Sequence, residues 1–596
     1  MLHAWKKLKS DFDPPEHTAP GLPKPPGSRG VRPGQPSAPR IGYMLIGIDV
    51  GGTHTDGVCI RDGRVEAMAK VPTDHDNLLA TISEVLRLIL KDCKGAEIRT
   101  LNLSTTLSTN SIVTGHTEKV GMFVIPGPGI NPQAYALGAQ YHVLSGCVDH
   151  RGAVSAKVRP DHIKPMTARC REEGIRVYGV VGKFCTRNPE QEMAIAEALA
   201  PQADFVTQGH RVSESLNFGR RVSTVYYNSA VWRTFNSFAD ALEQSLLDLN
   251  IQADINIVKA DGGTMPLKLA REIPVQSIFS GPAASVMGIL STAPQTEDAL
   301  ILDIGGTTTD MAVLLDGIPL LERDGISIGE HPTLVRALKV ESIGIGGDSF
   351  ISSRGGQLSV GPDRHGPCMA AGGPAPALMD AMNVLGHAAF GDRERSAKGI
   401  KEVAMAQGLS ARECAEQAVH MAMSILKRKV DAFLNAINSR PVYTIQEILE
   451  DRTVKPKRIM VIGGPAEAMV PLLEETFGLP VIAPRHAQVA NAIGACLTRP
   501  TQSLVLTVDT SRGSFTVPGL GIHKPIKRTY TLDEAVHDAT TMLRAELDRQ
   551  GIPAEEGDIQ VIQADAFNMV EGHYTIGRNI RVRCQMRPGV ITTLEP

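Results

Sequence analysis

The sequence predicts an α/β protein built from two copies of one structural unit, followed by a small α+β domain at the carboxyl end. The first observation behind this prediction is a repeat. Residues 48–56 read IDVGGTHTD, and residues 302–310 read LDIGGTTTD, an offset of 254 residues. The second observation is that the offset persists, because the pair at 62–63 and the pair at 316–317 are both Asp-Gly. The third is the alternation of apolar strand patterns with helical patterns between and after the repeats.

Each copy of the repeat predicts a buried strand, a polar Gly-Gly-Thr turn, a second strand and a tight Asp-Gly hairpin. Glycines let the backbone approach an anion without an intervening Cβ, and the turn presents N–H groups and hydroxyls. A single Gly-Gly-Thr turn is more often an ordinary hairpin. Two turns in the same register, one in each half, indicate a pair of loops that hold the phosphates of a nucleotide.

The first half, residues 44–230, continues with strands and helices in alternation. Residues 76–92 carry apolar side chains at helical spacing, and residues 101–110 predict a strand that runs into a hydroxyl-rich turn. Further buried strands are predicted at 120–125 and from 177 onward. This order indicates a largely parallel sheet.

The second half, residues 231–500, contains further glycine turns after strands, at 261–264, 344–347 and 463–464. Residues 280–284 and 490–495 are rich in small side chains and predict helices that allow close approach. A long amphipathic helix is predicted at 410–435. Each glycine turn alone is ordinary loop chemistry, but together with paired phosphate loops they favour a common ligand pocket.

The last part of the chain, residues 501–596, predicts strands near 503–508, 559–563 and 580–584. Thr531 and Glu534 have the spacing of a capping box, which predicts a helix that begins there. No glycine-rich anion turn occurs in this part of the sequence, so a structural or interface role is expected.

The first 43 residues contain nine prolines and no apolar signal-peptide core. Proline at this density disfavours helix and sheet, so a disordered extension is predicted. A second possibility is that translation starts at Met44, which opens directly onto the first core strand.

Composition excludes several classes of function. The net charge is −3 and only 4% of residues are aromatic, so neither a nucleic acid nor an anionic membrane is an expected partner. Nine scattered cysteines without a Cys-x-x-Cys pair indicate reduced thiols and a cytoplasmic protein. The sequence has no apolar run of membrane-spanning length, no zinc-type histidine pair, no Gly-x-Ser-x-Gly motif and no P-loop lysine motif.

The motifs, in their order along residues 44–500, resemble the ATP-using (hydantoinase A-type) subunit of the hydantoinase/5-oxoprolinase family. That family belongs to the actin-like, sugar-kinase and heat-shock-chaperone superfamily of ATPases. The resemblance implies duplicated actin-like, ribonuclease-H-like lobes that bind ATP and Mg²⁺. It also implies a cyclic amide or related carbonyl substrate and a second, hydantoinase B-type subunit, and an oligomer is expected.

The resemblance and the motifs together identify the candidate site residues. The glycines and threonines expected to contact ATP are Gly51, Gly52, Thr53, Thr55, Gly305, Gly306, Thr307, Thr308, Gly346, Gly347, Gly463 and Gly464. Asp49, Asp303 and Asp310 are expected to face the magnesium ion, mostly through water, and Asp49 and Asp303 are also expected to be catalytic. Asp261, at a strand end, is a candidate for orienting the attacking oxygen.

The chain departs from the family pattern in one turn that bears on chemistry. The family usually has a His-Gly-Thr-Thr-x-x-Thr-Asn turn, whereas this chain has Leu103-Ser104 followed by Thr-Thr-Leu-Ser-Thr-Asn.

Phosphorylation of an amide oxygen would make its carbon electrophilic enough for hydrolysis or carboxylation.

Three functions remain open on the sequence. The chain could be an ATP-dependent cyclic-amidase subunit or a carboxylase relative, a partner-remodelling ATPase, or a nucleotide-binding scaffold with weak turnover.

Overall fold

The computed structural model describes residues 43–74, 76–93, 98–322, 324–354, 357–439, 453–552, 554–555, 557–587 and 589–595. Apart from Tyr43, the predicted proline-rich extension lies outside the described residues. Among the described helices, none combines the length and the apolar character needed to cross a membrane.

The first part of the chain forms two large sheets, a two-stranded sheet of β7 and β8, and the helices that cover them. Its elements are β1 (Met44–Val50), β2 (His54–Arg61), β3 (Arg64–Pro72), α1 (Leu78–Asp92), β4 (Ile98–Thr105), α2 (Leu107–Val113), β5 (Val120–Ile125), β6 (Gln140–Val143), β7 (Cys147–Val148), β8 (Val154–Ala156), α3 (Lys164–Glu172), β9 (Val177–Gly182), α4 (Glu190–Leu199), β10 (Phe205–Gln208), α5 (Gly209–Val212), α6 (Phe218–Asp248), β11 (Asp254–Val258), β12 (Thr264–Pro266) and α7 (Leu267–Ala270). One sheet has the order β12-β11-β4-β1-β2-β3, and the other is the parallel sheet β10-β9-β5-β6.

The second part contains the second repeat and a helical layer. Its elements are α8 (Ser280–Thr292), β13 (Ala299–Ile304), β14 (Thr309–Leu315), β15 (Ile318–Pro319), β16 (Ser327–Ile328), β17 (His331–Pro332), β18 (Val340–Ile343), β19 (Ile351–Arg354), β20 (Gln357–Val360), α9 (Leu378–Leu385), α10 (Arg393–Met405), α11 (Ala411–Asn438), β21 (Arg458–Ile462), α12 (Ala466–Phe477), β22 (Val481–Ile482) and α13 (Ala490–Leu497). Its main sheet has the order β15-β14-β13-β21-β22, and β18 pairs with β14.

The two repeats fold alike, as the sequence predicts. In each, the first strand pairs antiparallel with the second and parallel with a later strand, β4 for β1 and β21 for β13. The hairpin turns also match, because Asp62 and Asp316 have φ of 48° and 47°, and both following glycines have φ of 77°. These are the left-handed conformations that an Asp-Gly hairpin turn requires.

Two expectations about this architecture need correction. The main sheets are mixed rather than largely parallel, since the tight hairpins force antiparallel pairing of β1 with β2 and of β13 with β14. The division at residue 230 falls inside α6, and β11 and β12 beyond it complete the first sheet by pairing with β4 and with each other. A strand that joins a sheet across 150 residues of sequence leaves no local signal.

Two helices with small side chains connect the repeats. α8 and α13 pack so closely that a Cβ on Gly494 would collide with the carbonyl of Ala284. α13 also lies on β1, where a Cβ on Gly47 would collide with the carbonyl of Ala492. The small residues therefore hold the strands of both Gly-Gly-Thr loops against one helix pair.

The carboxyl-terminal part is an antiparallel sheet covered by one helix. Its elements are β23 (Ser503–Asp509), β24 (Ser514–Val517), β25 (Ile522–Pro525), α14 (Leu532–Arg549), β26 (Ile559–Glu571) and β27 (Tyr574–Met586), in the sheet order β25-β24-β23-β27-β26. The predicted capping box is confirmed, since the Thr531 hydroxyl accepts from the Glu534 N–H at 3.2 Å and the Glu534 carboxylate accepts from the Thr531 N–H at 2.7 Å. Residues 590–595 run back to the first parts, where the Glu595 N–H donates to the carbonyl of Gly63.

Candidate phosphate-binding site

The two Gly-Gly-Thr loops have the same backbone geometry. In the first loop the Gly51 N–H donates to the carbonyl of His54 at 3.1 Å, and in the second the Gly305 N–H donates to that of Thr308 at 2.9 Å. Asp49 lies directly opposite Asp56 on the neighbouring strand. Asp303 lies opposite Asp310 in the same way. Each loop is therefore preceded by one carboxylate and followed by another.

The fold brings the carboxylates of both repeats into electrostatic contact. Asp303 is close enough to Asp49, Asp56 and Asp310 to perturb the ionisation of all three. The side-chain amide of Asn491, on α13, donates to Asp303 at 3.2 Å, and it lies close enough to Asp49 to lower the pKa of that carboxyl. The site is thus assembled from the two halves of the duplication, with Asn491 between them.

The environment disfavours negative charge on these carboxyls. Burial, reinforced by Asp56 and Asp303, raises the pKa of Asp49 to about 7. Burial and the charge of Asp303 raise the pKa of Asp310 to about 6. The pKa values of Asp56 and Asp303 are also raised, chiefly by burial. Several carboxylates in one dehydrated site are stable only beside a positive charge.

One carboxyl oxygen in this cluster is without a partner. Oδ1 of Asp49 is buried and makes no hydrogen bond with any described residue. An unpaired buried acceptor of this kind costs free energy unless a donor or a cation reaches it. The cluster therefore has both the charge and the vacant oxygen that a bound cation satisfies.

Basic side chains lie at the margin of the carboxylate cluster. The Lys70 ammonium donates to both Asp56 oxygens, at 2.7 and 2.8 Å. Arg364 forms an ion pair of 3.1 Å with Asp348. Burial lowers the pKa of His54 below its usual value. The charges of Lys70 and Arg364 act in the same direction, and the charge of Asp348 opposes them. Because Lys70 and His54 belong to the first repeat and Asp348 and Arg364 to the second part, the two loops face each other.

The glycines of 346–347 support the second loop. The Gly347 N–H donates to the carbonyl of Gly305 at 3.0 Å, and the Asp348 N–H donates to that of Gly306 at 2.7 Å. A Cβ on Gly346 would lie 2.5 Å from the Gly306 carbonyl oxygen. The close approach that excludes a side chain here is made by the protein's own backbone.

The two glycines at 463–464 lie in different environments. Gly463 has φ of 99°, and a Cβ on it would collide with the carbonyl of Ile304. A Cβ on Gly464 would meet no atom within 4 Å. The fold itself therefore requires glycine at 463, whereas the space beside Gly464 is open to a ligand.

The loop hydroxyls also differ in accessibility. Thr307 and Thr308 are exposed and Thr53 is half-buried, as a role in phosphate binding requires. Thr55 is fully buried, and its hydroxyl lies 3.0 Å from that of Thr73. Thr55 therefore shapes the first loop from behind, whereas the sequence assigned it to the ligand.

Asp261 lies outside the carboxylate cluster. It pairs with the Lys259 ammonium at 3.2 Å and accepts from the Gly263 N–H at 3.1 Å. It borders a separate cavity, which Asp49 and Asp303 do not line. In this arrangement the expected role of Asp261 beside the reacting phosphate has no geometric support.

The hydroxyl-rich turn after β4 is the start of a helix. α2 begins at Leu107, whose N–H donates to the Thr105 hydroxyl at 3.2 Å. Ser104 lies beside Asp49 on the neighbouring strand, and its hydroxyl lies 3.3 Å from that of Ser280, the first residue of α8. The residues that replace the family's usual turn therefore contact the carboxylate cluster directly.

Several residues that contact the carboxylate cluster escaped the sequence reasoning. Ser285 donates to Asp303 at 2.6 Å, and Lys70 and Asn491 reach the cluster from separate elements. Phe279 is 39% exposed and has φ of 60°, a strained conformation for a bulky residue. Ser285 and Asn491 lie in the small-residue helices that the sequence did identify, so polar residues within those helices were the available signal.

Comparisons with known proteins agree with this architecture. A family model described as hydantoinase/oxoprolinase matches residues 221–503, and one described as the hydantoinase/oxoprolinase N-terminal region matches residues 45–202. The chain is 24% identical over 508 residues to caprolactamase subunit alpha from Pseudomonas jessenii, covering 76% of this chain and 70% of the relative.

Two solved structures share the fold over most of the chain. ATP-dependent caprolactamase from Pseudomonas jessenii has a TM-score of 0.67 at 19% identity, covering 91% of this chain and 88% of the other. Nucleotide-free acetone carboxylase has a TM-score of 0.66 at 16% identity, covering 92% and 88%. The matched family models, together with the duplicated loops and the shared α/β fold, show that the chain belongs to the hydantoinase/oxoprolinase family.

Proposed function

We propose that the chain binds Mg-ATP between the two Gly-Gly-Thr loops and transfers the γ-phosphoryl group to the oxygen of a cyclic amide. The observation that carries this proposal is the pairing of the two loops, each flanked by two carboxylates, with Asn491 bonded to Asp303 and near Asp49. The two loops offer backbone N–H groups and hydroxyls to phosphate oxygens from both repeats. The ATP-dependent relatives in this family support the choice of nucleotide.

The residues present fit a magnesium ion. Carboxylate oxygens are the ligands that Mg²⁺ prefers, and the buried Oδ1 of Asp49 has no other partner among the described residues. Among those residues, the group of His, Cys, Asp and Glu ligand atoms that lie within 4.8 Å of one another is Cys59, Glu66 and Cys93, at a different place. Asp49, Asp303 and Asp310 are not in that group, so a cation held by them would keep several water ligands. A bound Mg²⁺ would neutralise phosphate charge in the transition state.

The roles of the protein residues follow from their positions. Gly51 and Gly305 close the two loops by donating their N–H groups to His54 and Thr308, and the absence of a Cβ at Gly52 and Gly306 lets the backbone approach the phosphates. Thr53, Thr307 and Thr308 add hydroxyls. Ser285 and Asn491 fix the Asp303 carboxylate at the centre of the cluster. Gly464 leaves room for the nucleoside, while Gly346, Gly347 and Gly463 hold the loops that surround it.

The reaction splits a difficult hydrolysis into easier steps. The amide oxygen attacks the γ-phosphorus, the bond to the bridging oxygen of ADP breaks, and ADP leaves. Water then adds to the activated carbon, the C–N bond breaks with a proton going to the nitrogen, and a second water releases phosphate. One lactam, one ATP and two waters thus give one amino acid, one ADP and one phosphate. In-line positioning and charge neutralisation are the contributions required of this chain.

We further propose a second subunit, of hydantoinase B type, as partner, because the caprolactamase relative is named as an alpha subunit. The β26–β27 hairpin is suited to such a contact. Its exposed large apolar side chains include Phe567 at 64%, Val570 at 62% and Tyr574 at 79%. β26 is also the edge of its sheet, with free hydrogen-bonding capacity along one side.

The test combines the purified chain, Mg-ATP and candidate substrates, with and without the second subunit. We expect slow basal ATP hydrolysis that rises sharply with a lactam or hydantoin when the partner is present, together with ring-opened product. A ketone with bicarbonate tests the carboxylase alternative. Stimulation by a partner protein without any small substrate would instead support a remodelling ATPase. Absence of Mg-ATP binding would refute the proposal.

A matched pair of variants tests the partner surface. Tyr574→Asp should reduce stimulation by the second subunit at least ~10-fold and leave basal hydrolysis unchanged, because a charge on an apolar interface is costly. The control is Met405→Asp. The Met405 side chain is 72% exposed and lies at the end of α10, outside the carboxyl-terminal sheet. Equal effects of both substitutions would exclude the hairpin as the docking surface.

A further inference from the structure

One basic side chain reaches the carboxylate cluster from the edge strand of the first sheet. Lys70, on β3, lies directly opposite Asp56 on β2, and Asp56 lies opposite Asp49 on β1. Residues that lie opposite each other on neighbouring antiparallel strands project from the same face of the sheet. The first repeat therefore presents Asp49, Asp56 and Lys70 as one row of side chains across three strands.

The second repeat has a similar row that ends in a neutral residue. Asp303 on β13 lies opposite Asp310 on β14, and Asp310 lies opposite Ser342 on β18. A serine hydroxyl therefore stands where the first repeat places an ammonium group. Both outer strands pair antiparallel with the strand beside them, so the pairing itself does not require the lysine. The two loops thus differ in charge although they share a backbone.

The Lys70 ammonium joins the first sheet to the second part of the chain. An ammonium group has three N–H donors. Two of the contacts go to the Asp56 oxygens, at 2.7 and 2.8 Å, and the third goes to the carbonyl of Gln488 at 3.2 Å. Gln488 follows Ala487, whose carbonyl accepts from the Gly463 N–H at 3.1 Å. Lys70 therefore contacts the turn that also holds the glycine pair at 463–464.

The strand that carries Lys70 also supports the first loop. Three residues further along, the Thr73 N–H donates to the carbonyl of Thr53 at 3.0 Å, and the Thr73 hydroxyl donates to the carbonyl of Gly51 at 2.9 Å. The Lys70 side chain is 36% exposed, so a ligand that enters beside this loop can reach it. Its charge also lowers the pKa of Asp303, so Lys70 acts on the second loop as well.

A terminal phosphate between the loops would compete with one of the three acceptors of Lys70. Phosphate oxygens are charged and accept stronger hydrogen bonds than a neutral carbonyl. Lysine is a point charge on a flexible stem, so it can change one partner without movement of the backbone. The contact with the Gln488 carbonyl is the longest of the three, and its acceptor is the neutral one. A phosphate oxygen would therefore replace Gln488, while Asp56 keeps the ammonium in place.

We propose that Lys70 is the residue by which the site distinguishes ATP from ADP, because its ammonium exchanges the carbonyl of Gln488 for an oxygen of the γ-phosphate. The inference rests on the proposed function for the presence of Mg-ATP between the loops. With ADP in the site, Lys70 keeps its contact with Gln488. Loss of the γ-phosphate therefore restores a contact between the first sheet and the second part of the chain, and Ser342 supplies no such charge on the other side.

The test is titration calorimetry on the full chain with two probes, Mg-ADP and the magnesium complex of the β,γ-imido analogue of ATP, which retains the γ-phosphate but does not transfer it. Lys70→Met should lower the affinity for the analogue at least ~10-fold, the range for a hydrogen bond to a charged group, and change that for Mg-ADP ~3-fold or less. Lys70→Arg keeps the charge and should retain most of the discrimination. Lys91→Met, at an exposed lysine in the last turn of α1, is the control and should match wild type.

The outcomes separate this inference from the proposed function. Wild type that binds neither probe would refute both. Wild type that binds both probes, with Lys70→Met weakening both equally or neither, would overturn only the role of Lys70, as would a selective loss of the analogue in Arg364→Gln instead. Thermal melting checks each variant. Because Lys70→Met leaves the Asp56 carboxylate without its cation, the double variant Asp56→Asn/Lys70→Met removes both members of the pair and carries the test if the single variant fails to fold.

Discussion

The two phosphate loops have the same backbone but different surroundings. In the first, Asp49 keeps one oxygen without a partner, and Asp56 is neutralised by Lys70. In the second, Asp303 accepts from Ser285 and Asn491, and Asp310 accepts from Ser342. Of the two carboxylates at the first loop, one is therefore paired with a cation and the other has an oxygen without a partner. Both carboxylates at the second loop are held by neutral hydrogen-bond donors.

This difference indicates that the two loops of the duplicated fold contribute differently to the site. A carboxylate fixed by several donors keeps a defined position, which suits the alignment of a reacting phosphate. A carboxylate with a vacant oxygen and a raised pKa gains most from an arriving cation. Asp303 is thus the better candidate for positioning, and Asp49 is the better candidate for responding to Mg²⁺.

The largest expected effect is that of Asp303→Asn. Loss of the charge at the centre of the cluster should lower kcat for ATP hydrolysis at least ~100-fold, about 2.7 kcal/mol on the barrier scale. Thermal melting should show an intact fold, because asparagine can keep the hydrogen bonds of the carboxylate. The exposed Asp431→Asn on α11 is the matched control. Turnover within about threefold of wild type would contradict the assignment.

Asp49→Asn tests the first loop of the comparison, and we expect it to change stability as well as turnover. The pKa of Asp49 is near 7 in the folded chain and 3.8 as a free carboxyl, so the folded state binds more protons between these values. Stability of the Mg-free chain therefore falls as pH rises through this window. The substitution should raise the melting temperature at pH 8 and lose this advantage toward pH 4.

Scanning fluorimetry of wild type and Asp49→Asn across pH 4 to 8 checks this prediction, with added Mg-ATP as a second condition. Saturating Mg-ATP should reverse the order of stability at pH 8, because wild type alone retains the full charge for the cation. A pH-independent difference between the two proteins would show that Asp49 is not held in a dehydrated, negatively charged setting.

The glycine pair at 463–464 separates the requirements of the fold from those of the ligand. Gly463→Ala should destabilise the chain by roughly 1–3 kcal/mol or more, because a left-handed φ and a carbonyl oppose the new Cβ. Gly464→Ala should melt like wild type but bind Mg-ATP several-fold more weakly. Calorimetry and thermal melting on both variants provide the measurement. Unchanged affinity in Gly464→Ala would place the nucleoside elsewhere.

The smallest expected effects concern Ser285 and Ser342, which donate to the two carboxylates that flank the second loop. Ser285→Ala removes a 2.6 Å donor from Asp303 and should lower kcat ~10-fold, in line with a hydrogen bond to a charged group. Ser342→Ala removes a donor from the more peripheral Asp310 and should cost about threefold or less. The reverse order in steady-state kinetics would show that Asp310 is the carboxylate that positions the phosphate.

The sequence by itself determined the repeated elements of this protein. Both hairpins, both Gly-Gly-Thr loops and the carboxylates before them follow from local rules, since turn residues, strand patterns and cap residues act within a few positions. The capping box at Thr531 and the small-residue helices α8 and α13 were predictable for the same reason. The repeat of the motif also placed Asp49 and Asp303 in equivalent positions.

The tertiary structure alone decided which groups meet. Asn491 reaches Asp303 and lies near Asp49 only because α13 packs on both halves, and β11 joins a sheet whose first strand begins about 210 residues earlier. The same long-range packing places Asp261 at a separate cavity and buries Thr55 behind the first loop. These contacts join residues far apart in sequence, and local propensity and periodicity contain no information about such distances.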